Sequence, residues 1–192
     1  MVGLKIIVIK HRKLLGVFEI TLEPHKDARG FFMRTYDMKI FEELGIDRTW
    51  VQENHSCSVR KGIIRGLHFQ FPPYAETKLV RCIRGAILDV FVDIRKNSPT
   101  FGEWDSIELS EQNKKCILVP RGFAHGFCTL TDESEIVYKV DNYYNPDAEG
   151  GIIWSDRDLD IKWAVSNPIL SEKDAALKSF SDFVKEHKGI EL

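Results

Sequence analysis

The sequence lacks the features that would commit it to several large classes at once. It has no membrane-length apolar run, and its 43% hydrophobic and 29% charged fractions are those of an ordinary globular chain and not of a disordered one. A formal net charge of -2 over 192 residues gives no global attraction to nucleic acid or anionic lipid, so neither is expected as a partner. A phosphate-bearing ligand would have to be met by a local basic cluster. Cysteine is sparse: Cys57, Cys82, Cys116 and Cys128 stand singly, without the paired spacing of a zinc site or a disulfide framework, and are expected as reduced, mostly buried thiols. The apolar stretch in MVGLKIIVIKHRK is too short for a signal h-region, and its basic cluster follows it instead of preceding it, which leaves a cytoplasmic location by default.

Several catalytic signatures are missing as well. No serine sits in a Gly-x-Ser-x-Gly elbow, no cysteine has a local basic environment, and no Gly-rich phosphate loop is present. Small barrels often hold a metal through histidines two apart with a nearby glutamate, but here His68 is followed by Phe69 and Gln70, so a metal-dependent oxygenase is disfavoured and no metal is expected. There is no internal repeat, low-complexity tract or Pro/Ser-rich linker, and the length suits one domain over residues 1–192.

What remains is a succession of short apolar or alternating runs broken by Gly, Pro and Asp, the pattern of antiparallel strands in a sandwich or barrel. Strands are expected near 5–9, 14–22, 30–36, 50–58, 62–70, 77–84, 86–94, 103–109, 115–119, 124–131, 134–143 and 150–154. A short helix is expected over 38–44 and a C-terminal one over 174–187, where Leu177, Phe180 and Val184 recur at helical spacing. The reading is an all-β jelly-roll barrel with a helical tail. From Ala86 to Ile94, Leu88, Val90, Val92 and Ile94 share one face, while Ile87, Asp89, Phe91 and Asp93 share the other. That suits a barrel wall packed outward on other structure and lining a polar cavity inward; the alternative is an edge strand with exposed acids.

Four segments carry side chains with chemical potential. In Arg65-Gly66-Leu67-His68-Phe69-Gln70 a histidine stands among apolar neighbours, which on its own reads more readily as a hydrogen-bonded core or surface residue than as a catalyst. Alternation puts Lys78 on the apolar face of its strand with Val80 and Cys82; an inward ammonium needs an anion, whether carboxylate, phosphate or developing enolate, and a surface lysine at a strand edge is the competing reading. His125 lies between small residues in Arg121-Gly122-Phe123-Ala124-His125-Gly126-Phe127, and an orienting Asp89 would make a second polar point. Tyr138, and then Tyr143 and Tyr144 at a turn, either fill the core or supply a phenol that donates a proton.

Taken in order, Asp27-Ala28-Arg29-Gly30-Phe31-Phe32, Val51-Gln52-Glu53-Asn54-His55-Ser56, the RGLHFQ run, KLVRC from Lys78, DIRKNSPTFG from Asp93, PRGFAHGF, VYKVDNYYNP and Leu170-Ser171-Glu172-Lys173-Asp174 closely resemble the dTDP-4-dehydrorhamnose 3,5-epimerase family over nearly the whole chain. The resemblance implies a homodimeric cupin-type jelly roll that epimerises dTDP-4-keto-6-deoxy-D-glucose at carbons 3 and 5 without a cofactor. It assigns His68 as the base, Asp174 as its orienting carboxylate, Tyr138 as the proton donor on the other face of the sugar and Lys78 as the cation at the enolate oxygen. By the same correspondence Arg29, Gln52, Asn54, Arg65, His125, Glu149 and Lys173 contact the nucleotide sugar and Tyr143 stacks on the base. Two positions depart from the family pattern: Arg34 stands where glutamate is usual and is expected near the thymidine end, and Glu76 stands where glutamine is common. The rival readings are an enzyme that inverts carbon 3 only or takes another nucleotide's 4-keto sugar, and a non-catalytic barrel that binds sugar nucleotides.

Overall fold

The computed structural model describes residues 7–192 apart from Leu44. With strands numbered along the chain, one sheet runs in the order β1 (Ile7–His11), β2 (Phe18–Leu22), β10 (Lys115–Val119), β7 (Lys78–Arg84), β12 (Ser134–Val140), β5 (Gln52–Ser58). A second runs β13 (Glu149–Gly151), β6 (Ile64–Gln70), β11 (Phe123–Thr129), β8 (Ala86–Asp93), β9 (Trp104–Ser110). A hairpin of β3 (His25–Asp27) and β4 (Gly30–Phe32) makes a separate two-stranded sheet. The pairings within all three are antiparallel.

The two large sheets face each other across one core. Val80, Cys82, Ile117 and Ile136 come from the first, and Ile87, Phe91, Ile107 and Phe127 from the second. Each sheet is also covered on part of its outer side. Leu79, Cys116 and Leu118 pack against Phe41 and Ile46, while Val90, Val92 and Ile94 pack with Leu67, Phe69, Phe183 and Ile190. A strand covered on both faces must be apolar on both, which is why β8 shows so little polar alternation.

That strand lies inside its sheet between β11 and β9, and both of its acids are fully buried, so an edge strand with exposed acids is ruled out. Asp93 is held by Arg95 at 2.7 Å and by the hydroxyls of Ser98 and Thr100 at 2.6 Å each. Burial alone would raise its pKa, but these donors outweigh it and hold the carboxyl below the usual range.

The expected elements are present, with several differences in extent. The strand expected over 14–22 begins only at Phe18, because Leu14 to Val17 close a turn in which Val17 N donates to Leu14 O at 3.1 Å and Gly16 takes φ +88°. The strand expected over 30–36 ends at Phe32 and belongs to the β3–β4 hairpin, whose turn is fixed by Arg29 N donating to Asp27 Oδ1 at 2.8 Å. The short helix, α1, spans Met38–Glu43; Leu44, and residues 5 and 6 of the strand expected over 5–9, lie outside the described residues. The helix expected over 174–187 is two helices, α2 (Glu172–Ala175) and α3 (Phe180–His187). Each has its own serine N-cap: Ser171 Oγ accepts from Asp174 N at 3.0 Å and Ser179 Oγ from Asp182 N at 3.1 Å. Between them Lys178 O accepts from Ile153 N at 2.8 Å, a bond to extended chain that a continuous helix would forgo. Among the described residues no helix is long and apolar enough to cross a membrane.

Candidate active site

A cavity of about 700 Å³ opens between the two large sheets and is walled on one side by the segment that leads into α2. Side chains from both sheets and from α2 meet in it. His68 and His125 come from the second sheet, Lys78 and Tyr138 from the first, and Lys173 and Asp174 from α2; Arg65 also lines it.

The two histidines are neighbours because β6 and β11 approach closely. His68 and His125 are register partners, and the register shifts just beyond them, between His125 and Phe127. Glycine is required on both strands there: a Cβ at Gly66 would meet His125 O at 2.7 Å, and one at Gly126 would meet Arg65 O at 2.7 Å.

Each histidine has its own carboxylate. His68 Nε2 lies 2.6 Å from Oδ1 of the buried Asp174. An ionised carboxylate only accepts, so the proton of the neutral ring sits on Nε2 and Nδ1 keeps its lone pair. Burial, reinforced by the charge of Lys78, pulls the His68 pKa below its ordinary value even though Asp174 and Glu149 act the other way. The imidazole is therefore neutral near pH 7, the state a base needs. His125 Nε2 lies 3.0 and 2.9 Å from the two oxygens of the fully buried Asp89, the pairing expected from the sequence.

On the opposite sheet, Tyr138 pairs with Asn54 on one side and Val80 on the other, so all three point to one face. Burial pushes the phenol's pKa up, the negative charges of Glu76 and Glu149 add to this, and Arg65 opposes them. Tyr138 thus keeps its proton far into the alkaline range and is suited to be an acid. Lys78 lies on the same face with its side chain 12% exposed, and its ammonium is 3.3 Å from Glu76 Oε1. The surface-lysine reading is excluded by that burial.

At the rim, Glu149 accepts from Lys173 at 2.6 Å and from the Tyr144 hydroxyl at 2.8 Å. Burial alone would raise the Glu149 pKa, but these two donors and the Lys173 charge bring it below the usual value. Arg65 is fixed by Ser58 Oγ at 3.2 Å and Cys57 O at 3.1 Å.

The remaining expected residues do not line this cavity in a single chain. Gln52 Oε1 accepts from Tyr144 N at 2.8 Å and so braces the 142–145 loop, on which Tyr143 is 62% exposed. Arg29 is on the exposed hairpin, paired with Asp27 at 2.6 Å, and Arg34 pairs with Asp37 at 3.1 Å. Three contacts are not foreseen in the sequence: Tyr144 ties down Glu149, Ser171 caps the helix carrying Asp174, and Gln70 holds Glu76 at 3.1 Å. Ser171-x-x-Asp174 is a capping spacing that signalled the second. Burial pushes the Cys116 thiol up to about 12 and those of Cys82 and Cys128 to about 11, so none of them is a thiolate near neutral pH. Among the described residues no three His, Cys, Asp or Glu side chains gather as a metal-holding group.

A two-sheet jelly roll of the cupin type, with a neutral imidazole, a protonated phenol and an ammonium converging on one cavity, defines an isomerase class that works by moving protons at carbon. The sequence profile described as dTDP-4-dehydrorhamnose 3,5-epimerase matches residues 11–182. The chain belongs to the dTDP-4-dehydrorhamnose 3,5-epimerase family. It is 54% identical over 157 residues to the enzyme of that name from Shigella flexneri, covering 81% of this chain and 86% of that one. The crystal structure of the Bacillus anthracis enzyme with TDP and PPi bound superposes with a TM-score of 0.89 at 45% identity, covering 91% of this chain and 99% of that one. The Legionella pneumophila enzyme in complex with dTDP-4-keto-L-rhamnose superposes with a TM-score of 0.90 at 38% identity, covering 97% and 98%.

Proposed function

We propose that this chain converts dTDP-4-keto-6-deoxy-D-glucose to dTDP-4-keto-L-rhamnose by inverting carbons 3 and 5, as a step of dTDP-L-rhamnose biosynthesis. The observation that carries the reading is the placing of His68 and Tyr138 on facing sheets of one cavity, with Lys78 on the tyrosine's wall.

Hydrogens beside a ketone are acidic because the charge left on carbon moves to oxygen, so the substrate's own 4-keto group serves as the electron sink and no cofactor is needed. His68 takes the proton from carbon 3 or 5, and Asp174 steadies the imidazolium that forms. The Lys78 ammonium meets the enolate oxygen as its charge develops. Tyr138 returns a proton to the opposite face of the same carbon, which inverts it. The phenolate then regains a proton and His68 releases one, and the cycle repeats at the second carbon. Each positioned proton-transfer group contributes roughly 10²–10⁴-fold.

Arg65 and Lys173 suit the diphosphate, His125 the sugar and Tyr143 the base. A homodimer accounts for what a single chain leaves exposed. Phe31 and Phe32 project from the β3–β4 hairpin at 55% and 66% exposure, and burying them against a second copy would carry Arg29 and Arg34 toward that copy's nucleotide. A set of nucleotide-linked 4-keto sugars, incubated while hydrogen exchange with solvent is followed, tests the substrate and the reaction together. The dTDP sugar exchanges fastest, and His68→Ala loses nearly all exchange while still binding dTDP. Unchanged exchange in that variant means a barrel that only binds sugar nucleotides.

A further inference from the structure

Lys78 is the most mobile kind of catalytic cation, a point charge on a flexible four-carbon stem with no preferred direction of approach. An ammonium meant to meet an enolate oxygen has to be in place before the charge develops, since misplacement by about 1 Å costs on the order of 10²-fold. The structure holds it from one side. Glu76 Oε1 lies 3.3 Å from Lys78 Nζ, with both side chains 12% exposed. Glu76 Oε2 in turn accepts from Gln70 Nε2 at 3.1 Å.

Gln70 is 4% exposed and lies two residues after His68 on β6, on the same face. Its amide makes further contacts: Nε2 donates to Tyr74 O at 2.9 Å and Tyr143 O at 3.2 Å, and Oε1 accepts from Asn145 N at 2.7 Å. The chain of contacts therefore runs from the strand bearing His68 through Gln70 and Glu76 to the strand bearing Lys78, and branches to the loop bearing Tyr143. It crosses from one sheet to the other and joins the two groups whose separation decides whether base and cation act on the same ketone.

We propose that Glu76 is a positioning residue for Lys78, and that with Gln70 it forms a brace that fixes the ammonium relative to His68. This rests on the functional reading above. A carboxylate beside the ammonium weakens its pull on the enolate, and the gain is a cation that need not search for its place during the reaction.

Steady-state kinetics of Glu76→Ala, Glu76→Gln and Glu76→Asp on dTDP-4-keto-6-deoxyglucose, with calorimetric dTDP binding as the folding control, tests the brace. Glu76→Ala lowers kcat about 30-fold and leaves KM within about threefold, because the nucleotide contacts are untouched. Glu76→Gln keeps an acceptor for Lys78 at the same reach and loses only about threefold in kcat. A kcat for Glu76→Ala within twofold of the parent, a loss expressed in KM alone, or a glutamine variant as damaged as the alanine variant would overturn the proposal. If the alanine variant does not bind dTDP, Glu76→Asp decides: drawing the carboxylate back by one methylene lowers kcat at constant KM, and an unchanged kcat refutes the brace. A parent enzyme that neither turns over nor exchanges hydrogen with this substrate refutes the functional reading instead.

Discussion

Replacing Asp174 by asparagine isolates the contribution of the His68 partner. The carboxylate sits 2.6 Å from the imidazole, is 4% exposed, and is held in place by the cap bond between Ser171 Oγ and Asp174 N, a main-chain bond that asparagine retains. The substitution leaves shape and cap alone and removes one negative charge. A hydrogen bond to a charged group is worth about 1.5–3 kcal/mol, which at 1.36 kcal/mol per decade is roughly 10- to 150-fold. That stabilisation is used most when His68 becomes an imidazolium, so kcat should fall by about that factor while dTDP affinity holds. The pH profile supplies an independent sign. Proton abstraction needs neutral His68, whose pKa burial has already drawn below the ordinary 6.5, and Asp174, helped by Glu149, keeps it from falling further. Removing that charge lowers the pKa again, so the acid limb of kcat should move to lower pH as kcat drops. A pH series of initial rates, followed by NMR, reads both quantities. An unchanged kcat, or an acid limb displaced to higher pH, would refute the reasoning.

Tyr138→Phe should uncouple exchange from inversion: His68 still removes and returns the proton on its own face, so deuterium from heavy water enters the substrate while epimerised product falls by roughly 10²–10⁴-fold. In the parent, burial holds the phenol's pKa above the ordinary 10.0, so no alkaline loss due to this group is expected below that pH. Gly126→Ala should cost about 1–3 kcal/mol of stability, read by denaturant unfolding, and also lower kcat, because the added Cβ would meet the main-chain oxygen of Arg65 at 2.7 Å and push apart the two strands that place His68 beside His125.

Much of the framework was readable from local pattern. The faces assigned to Ala86–Ile94 hold because each side of β8 packs against a different layer, Ile87 and Phe91 inward and Val90 and Val92 outward. Alternation put Lys78 on the face of Val80 and Cys82, both core residues, and its 12% side-chain exposure decides against the surface lysine that the pattern had left open. The C-terminal helix was misread as continuous because Leu177, Phe180 and Val184 keep helical spacing across a break. Leu177 packs beside Gly151, where a Cβ would meet it at 2.6 Å, and the serine caps at 171 and 179 were the contrary signal. The β3–β4 hairpin has no buried face, so no periodicity announced β3 or marked where β4 ends. Alternation made Asp89 a candidate partner for His125, 36 residues away, but most pairings across long separations lie beyond local pattern. Asp174 and His68 are 106 residues apart, and only the family resemblance joined them; nothing in the neighbourhood of Glu149 pointed to its contact with Tyr144.

The account stands on protons leaving one face of a keto sugar and returning to the other. NMR of the product formed from dTDP-4-keto-6-deoxy-D-glucose in heavy water tests this most directly. It should show deuterium at carbons 3 and 5, both inverted. A substrate recovered without label, or labelled and inverted at carbon 3 alone, would contradict it.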